Sequence, residues 1–209
     1  MTPSLWADSA TTAQSHRDGK NSKFTIAGTG NSDSLYEKFL KIKAFTFDID
    51  GVMTDGSIFV DNSGEFLRTY DAKDGFGLRM AGMHGFKLGI ITGGHSDSIV
   101  SRFSKFGFSG PDIYLNSKNK IADFENFMDK HGLAAEEVLY CGDDLPDVPV
   151  LKAAGLGICP ADAMEEALLS ADYVSVFPAG KRFVREIIEI TLRIQNKWSL
   201  DISAYEKCY

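Results

Sequence analysis

From about Leu40 onward, short apolar runs that stop at polar residues alternate with longer stretches in which apolar residues recur every three or four positions. The short runs at Lys43–Asp48, Lys87–Thr92, Ile113–Leu115, Val138–Cys141, Leu156–Cys159 and Tyr173–Val176 read as buried strands. Between them, Ile99, Val100, Phe103 and Phe106 fit one helix face, and Ile121, Phe124, Phe127 and Met128 fit another. A last helix is predicted from Phe183 to beyond Trp198. Strands alternating with helices imply βαβ units, hence an α/β fold with a mostly parallel, Rossmann-like sheet flanked by helices.

One interval breaks the alternation. Ser57–Val60 and Glu65–Tyr70 flank Asp61-Asn62-Ser63-Gly64, a strong turn signal, and predict a β-hairpin insertion over about 55–72. Ile58, Val60, Phe66 and Leu67 give that ribbon more apolar surface than two strands can bury, so it is expected to pack against another subunit. Residues 1–40, rich in Ser, Thr, Gly and Asn in their first 34 positions, read as a tail or linker ahead of one domain over 41–209. The GTG at Gly28–Gly30 lacks the third glycine and the preceding strand of a dinucleotide fingerprint, and the glycines of GFGLRMAG at Gly75–Gly82 fail the same test.

Composition narrows the classes. A chain of 209 residues, 44% hydrophobic and 24% charged, is long enough for one sizeable core, and its net charge of −7 argues against general affinity for nucleic acid. No apolar run approaches the ~18 residues of a membrane span, and the N-terminus lacks the order of a signal peptide, so a cytoplasmic protein is expected. Cys141, Cys159 and Cys208 have no metal-site spacing and read as core or incidental thiols. The four histidines, His16, His84, His95 and His131, form no nucleophile–base arrangement.

Chemistry concentrates at strand ends. FDIDG, Phe47–Gly51, and CGDD, Cys141–Asp144, lie far apart in sequence, yet each sets carboxylates just past an apolar run. In a parallel sheet those ends share one edge, where ligands bind. Asp48 is placed to attack phosphorus, and Asp50, past the turn at Gly51, to protonate the departing oxygen and then act as base on water. The IITGG segment, Ile90–Gly94, offers a hydroxyl and backbone N–H groups to phosphate oxygens. A lysine is required to offset charge as an aspartate nears a phosphate dianion, and SKNKIADF, Ser117–Phe124, offers Lys118 and Lys120. Three aspartates within GDDLPD, Gly142–Asp147, suit Mg²⁺ in oxygen coordination.

In DIDGVMTDG, Asp48–Gly56, and in the order of these four motifs over roughly Lys43–Ile190, the chain resembles the haloacid dehalogenase superfamily. The resemblance implies Asp48 as nucleophile, Asp50 as acid/base, Thr92, Gly93 and Lys120 as phosphate ligands, and Mg²⁺ held by Asp48, the Asp50 carbonyl and Asp143, with Asp144 and Asp147 behind them. The intervals between motifs leave no room for a large cap domain. This looks like the capless branch, whose hairpins assemble tetramers in which neighbours cover the active site. DGSIFVDNSGEFLRTYDAKDGFGLRMAG, Asp55–Gly82, and AGKRFVREI near the C-terminus resemble its phosphatases of octulosonate 8-phosphate, which serve lipopolysaccharide.

An anionic sugar-acid substrate calls for cations, and Lys73, Lys181, Arg182 and Arg185 are the candidates. The octulosonate enzymes often carry Arg after the TG of the second motif, and a related nine-carbon phosphatase carries Glu. Here Gly94 precedes His95, so a nonulosonate 9-phosphate stands as an alternative substrate. Two further alternatives are phosphotransfer to a sugar hydroxyl, which the missing cap disfavours, and a noncatalytic assembly module of the same pathway, which the intact acids disfavour.

Overall fold

The computed structural model describes residues 32–62, 64–199 and 203. The GTG segment, His16, Ser63, Cys208 and the rest of residues 1–31, which the sequence leads one to expect as a tail, lie outside them. Part of the expected tail is ordered: Ser32–Lys41 forms helix α1, whose Leu35 and Phe39 are buried in the core. Four Gly- and Ser-poor residues, YEKF, follow its first turn, too few to stand out as a period against the polar stretch before them.

Among the described residues, eight short strands follow: β1 (Ala44–Phe47), β2 (Phe59–Val60), β3 (Phe66–Leu67), β4 (Lys87–Ile91), β5 (Ile113–Tyr114), β6 (Val138–Cys141), β7 (Leu156–Cys159) and β8 (Tyr173–Val174). Six make one parallel sheet in the order β5-β4-β1-β6-β7-β8. Every residue of β1, β6 and β7 is buried, which is why these strands read as unbroken apolar runs. Alternate side chains serve two cores. Phe45, Phe47, Leu139 and Cys141 point to one, and Ala44, Val138 and Tyr140 to the other.

The first core is closed by α1, α2 (Ala72–Met83), α3 (Asp97–Phe103) and α7 (Phe183–Ile194), and the second by α4 (Lys120–His131), α5 (Val148–Ala153) and α6 (Glu165–Leu168). Each large aliphatic or aromatic side chain withdrawn in this way stabilises the fold by roughly 1.5–3 kcal/mol. GFGLRMAG lies inside α2, so it forms no phosphate loop. From β1 the chain moves outward through β4 to β5, then returns to β6 on the other side of β1. The direction reverses between β1 and β6, and that crevice at the carboxyl edge is the ligand position of such sheets.

Two helices end earlier than their periodicity suggests. The α3 helix stops at Phe103 and gives way to a 3₁₀ turn over Ser104–Phe106, so Ile99 and Phe103 are buried while Val100 faces solvent. At the end of α7, Asn196 takes φ 55° and the Lys197 N–H returns to the Leu192 carbonyl at 2.7 Å, a left-handed stop that throws Trp198 back onto the core. The hairpin pairs only Phe59–Val60 with Phe66–Leu67, and Ile58, Phe59, Val60, Phe66 and Leu67 are all exposed.

The N-terminus of α7 is capped from another helix. Arg182, its N-cap, takes φ 74° without a side-chain cap, and the Asp74 carboxylate of α2 accepts from the Arg185 N–H at 2.8 Å. Nearby, Glu186 accepts from the Ser175 hydroxyl and from the Tyr173 hydroxyl at 3.4 Å. Burial pushes both carboxyls up to about 7, against the hydrogen bonds each receives.

A raised carboxyl pKa means that the folded chain holds its proton more tightly than the unfolded one. Its contribution is complete below the unfolded value of 4.5 for Glu186 and is lost as pH rises through about 7. Thermal unfolding followed from pH 5 to 8.5 is expected to show falling stability, and Glu186→Gln to flatten that fall by an amount on the order of 1–3 kcal/mol. An unchanged slope in Glu186→Gln contradicts this assignment.

Candidate active site

β1 carries Asp48 to the carboxyl edge of the sheet, where its N–H donates to the Cys141 carbonyl at 3.0 Å and prolongs the β1–β6 ladder by one bond. Its own carboxylate accepts from the Ile49 N–H at 2.7 Å and from the Lys120 ammonium at 2.8 Å. Lys120 is the first residue of α4, and the same ammonium donates to Asp147 at 2.6 Å. Lys118 is exposed, so the choice between the two lysines falls to Lys120.

Asp147 is fully buried and saturated: one oxygen takes Lys120 and the Tyr140 hydroxyl, the other the N–H groups of Asp143 and Asp144 at 3.1 and 3.2 Å. It thereby folds the loop after β6 so that Asp143 faces Asp48. Asp144 is exposed and caps the 3₁₀ turn Leu145–Asp147 instead.

Gly51 makes the convergence possible. It takes φ +84°, and a Cβ there would lie 2.0 Å from an Asp143 carboxylate oxygen. Carboxylate atoms of Asp48, Asp143 and Asp147 lie within 4.8 Å of one another. Three carboxylates thus share one ammonium, and burial drives two of them toward the neutral form. Asp143 is pushed up to about 8 by burial and then by the charges of Asp48 and Asp147, while Asp48 rises to about 6 because burial outweighs the pull of Lys120. For Lys120, burial opposes the charge, but Asp48 and Asp147 prevail and raise its pKa.

A buried Asp143 oxygen has no hydrogen-bond partner. An all-oxygen donor set with a surplus of negative charge and an unfilled acceptor fits a small hard divalent cation. The Asp147 carboxylate lies in the same cluster, but its two oxygens already take four donors, which leaves it behind Asp48 and Asp143; the Asp50 carboxylate is not part of the cluster.

The remaining predicted residues divide. Thr92 is buried at the end of β4, and its hydroxyl accepts from the Gly94 N–H at 3.1 Å, forming the tight turn that leaves Gly93 exposed at the same edge. Lys181 and Arg182 are exposed on the loop whose Gly180 N–H donates to the Val52 carbonyl, beside the first motif; Lys181 lies 3.8 Å from Asp55. Lys73 is exposed at the start of α2. Arg185 is committed elsewhere: its guanidinium lies over the Phe76 and Trp198 rings and pairs with Glu189 at 3.0 Å.

Sequence reasoning missed Arg68. Its guanidinium grips both oxygens of Asp50, at 2.7 and 2.9 Å, in the space that residue 94, a glycine, leaves open. The signal was the missing side chain at Gly94, which vacates room for a group from elsewhere in the chain.

Residues 93–179 match the haloacid dehalogenase-like hydrolase family. The chain is 34% identical over 166 residues, 79% of its length and 87% of the relative's, to the 3-deoxy-D-manno-octulosonate 8-phosphate phosphatase KdsC of Escherichia coli K12. It is 31% identical over 166 residues to that of Yersinia pestis, covering 88% of the relative. The solved Yersinia pestis enzyme superposes with a TM-score of 0.77 over 79% of this chain and 89% of that one, at 31% identity. A Moraxella catarrhalis phosphatase of the same name, crystallised with magnesium ion, phosphate ion and KDO, gives a TM-score of 0.79 at 30% identity over 85% of this chain and all of that one.

Gly51 and Gly64 both take φ +84°, but a Cβ at Gly64 meets nothing within 4 Å. Alanine at either position is expected to cost on the order of 1 kcal/mol in backbone strain. Gly51→Ala is expected to lose a further 1–3 kcal/mol, roughly, by driving Asp143 off its position. Urea unfolding of the two variants checks this, and equal losses contradict it.

Proposed function

The chain belongs to the haloacid dehalogenase-like hydrolases and is a phosphoric monoester hydrolase, and from that premise we propose that it cleaves a sugar-acid phosphate, 3-deoxy-D-manno-octulosonate 8-phosphate, through an aspartyl-phosphate on Asp48. The observation that carries this reading is the Lys120 ammonium held between Asp48 and Asp147 at the switch point of the sheet. A carboxylate can approach a phosphate dianion only where fixed positive charge offsets the repulsion, and this one is aimed at the nucleophile itself.

The residues then take distinct parts. The Thr92 hydroxyl and Gly93 N–H hold phosphate oxygens, and Lys120 steadies the transferring group. An Asp48 oxygen bonds to phosphorus as the bond to the sugar oxygen breaks, and Asp50 gives that oxygen a proton. Asp50, now ionised, takes a proton from water as the water oxygen bonds to phosphorus and releases Asp48. Mg²⁺ is the cation that suits the site; Asp48, Asp143 and the Asp50 carbonyl would hold it, with Asp147 behind them, and it would supply charge neutralisation and orientation of the phosphate. The relative solved with magnesium, phosphate and KDO supports the same ligand class.

On this reading the catalytic domain spans 41–209 with α1 docked on it, and the enzyme works in the cytoplasm. Among the described residues, no helix is long and apolar enough to cross a membrane. Lys181 and Arg182, beside the first motif, are the proposed cations for the substrate carboxylate, with Lys73 further along the same edge. The exposed apolar hairpin supports a homotetramer in which hairpins bury one another. Gly94, which offers no side chain to the distal end of the substrate, is what keeps a nine-carbon keto-sugar acid 9-phosphate in view.

Steady-state assays with Mg²⁺ are expected to show turnover of octulosonate 8-phosphate above nonulosonate 9-phosphate, loss of activity with chelator, and a drop of at least about 10³-fold in Asp48→Asn. Preference for the nine-carbon substrate overturns the substrate assignment, and undiminished activity in Asp48→Asn overturns the nucleophile. Light scattering is expected to give the mass of four chains for the wild type and a smaller assembly for Val60→Glu. A monomeric wild type removes the tetramer from the account.

A further inference from the structure

Arg68, the residue just past β3, is an anomaly. Leu67 and Thr69 on either side are exposed, yet the Arg68 side chain is 1% exposed, turned inward across the site to Asp50, whose own side chain is 26% exposed. Its Nε donates to one Asp50 oxygen at 2.7 Å and its Nη2 to the other at 2.9 Å, while Nη1 donates to the Phe66 carbonyl at 3.3 Å. This is the paired, two-point contact that a guanidinium offers a carboxylate and an ammonium cannot.

The guanidinium has a seat because residue 94 is glycine. A Cβ there would stand 2.9 Å from Arg68 Nη2 and 3.4 Å from both Asp50 Oδ2 and Thr92 Oγ1. Glu65, on the same arm of the hairpin, accepts a hydrogen bond from the Ser96 hydroxyl, the N-cap of α3. The hairpin is therefore fastened to the second-motif loop at one point and to the acid of the first motif at another.

We propose that Arg68 is the positioning residue for Asp50, a hairpin-borne fork that fixes the plane of the acid/base carboxylate toward the leaving oxygen. The inference rests on the reading of Asp50 given above. A carboxylate has about four lone-pair positions, of which Arg68 occupies one on each oxygen, leaving the outer ones for proton exchange. In the first step the phosphorus–sugar oxygen bond breaks and the leaving oxygen takes the Asp50 proton; the charge then left on Asp50 lies against the guanidinium. Without the fork, a partly exposed aspartate on a loop has several rotamers to sample, and small losses of alignment are costly to proton transfer.

The experiment compares kcat/KM for octulosonate 8-phosphate, whose alkoxide leaving group needs a proton, with that for p-nitrophenyl phosphate, whose phenolate departs without one. In Arg68→Gln the ratio of the two is expected to fall by about tenfold or more, since protonation of a poor leaving group is worth on the order of 10²–10⁴. Arg68→Lys, which restores charge but not the fork, should recover part of the ratio. Gly94→Ala, which presses on Nη2, should lower it in the same direction. A wild-type ratio in Arg68→Gln, or an equal loss on both substrates in protein with a wild-type melting profile, makes Arg68 a structural tether and overturns the proposal. Wild-type enzyme that hydrolyses neither substrate overturns the phosphatase reading, and the Arg68 role with it.

Discussion

Three carboxylates meeting around one ammonium is the constraint on which this molecule turns. Asp48, Asp143 and Asp147 are brought within reach of one another in a largely buried crevice, with Lys120 bonded to two of them. Left to themselves, such charges repel and lose hydration, and burial pushes Asp48 and Asp143 toward protonation. The chain tolerates the arrangement because Asp147 is satisfied by four donors and Lys120 is held between its partners. What is left over, a negative surplus with an Asp143 oxygen that has no hydrogen-bond partner, suits a divalent cation.

Topology supplies the convergence. Parallel strands deliver their carboxyl ends to one edge, and the reversal between β1 and β6 opens a crevice there, with Asp48 on one wall and Asp143 on the other. Two glycines then set distances that strands alone cannot. Gly51 lets the loop after β1 pass against Asp143, and Gly94 admits the Arg68 guanidinium beside Asp50. The hairpin is thus both an apolar surface facing outward and, through Glu65 and Arg68, a part of the wall of the site.

Most of this was legible in the sequence where local pattern and chemistry coincide. The six core strands are fully or nearly unbroken apolar runs, and Asp48, Thr92, Lys120 and Asp143 each follow such a run or open a helix, so their meeting follows from the parallel sheet. Contacts between elements that share no period were hidden. Arg68 sits in an exposed ribbon and gives no local sign that it turns inward. Arg185 looked available as a cation because nothing in its neighbourhood reveals the Phe76 and Trp198 rings that enclose it. The early end of α7 depends on a left-handed Asn196, and α1 lay unseen because its few apolar residues gain their meaning only from the core they cover.

If Asp48, steadied by Lys120, forms the bond to phosphorus, the phosphoryl group must pass through its carboxylate. Rapid acid quench of a single turnover with Mg²⁺, followed by mass spectrometry of the peptides, tests it directly. A transient phosphoryl group is expected on the peptide carrying Asp48, forming before free phosphate appears. Phosphate released at full rate with no phosphoryl group on that peptide, or with one on another residue, would contradict it.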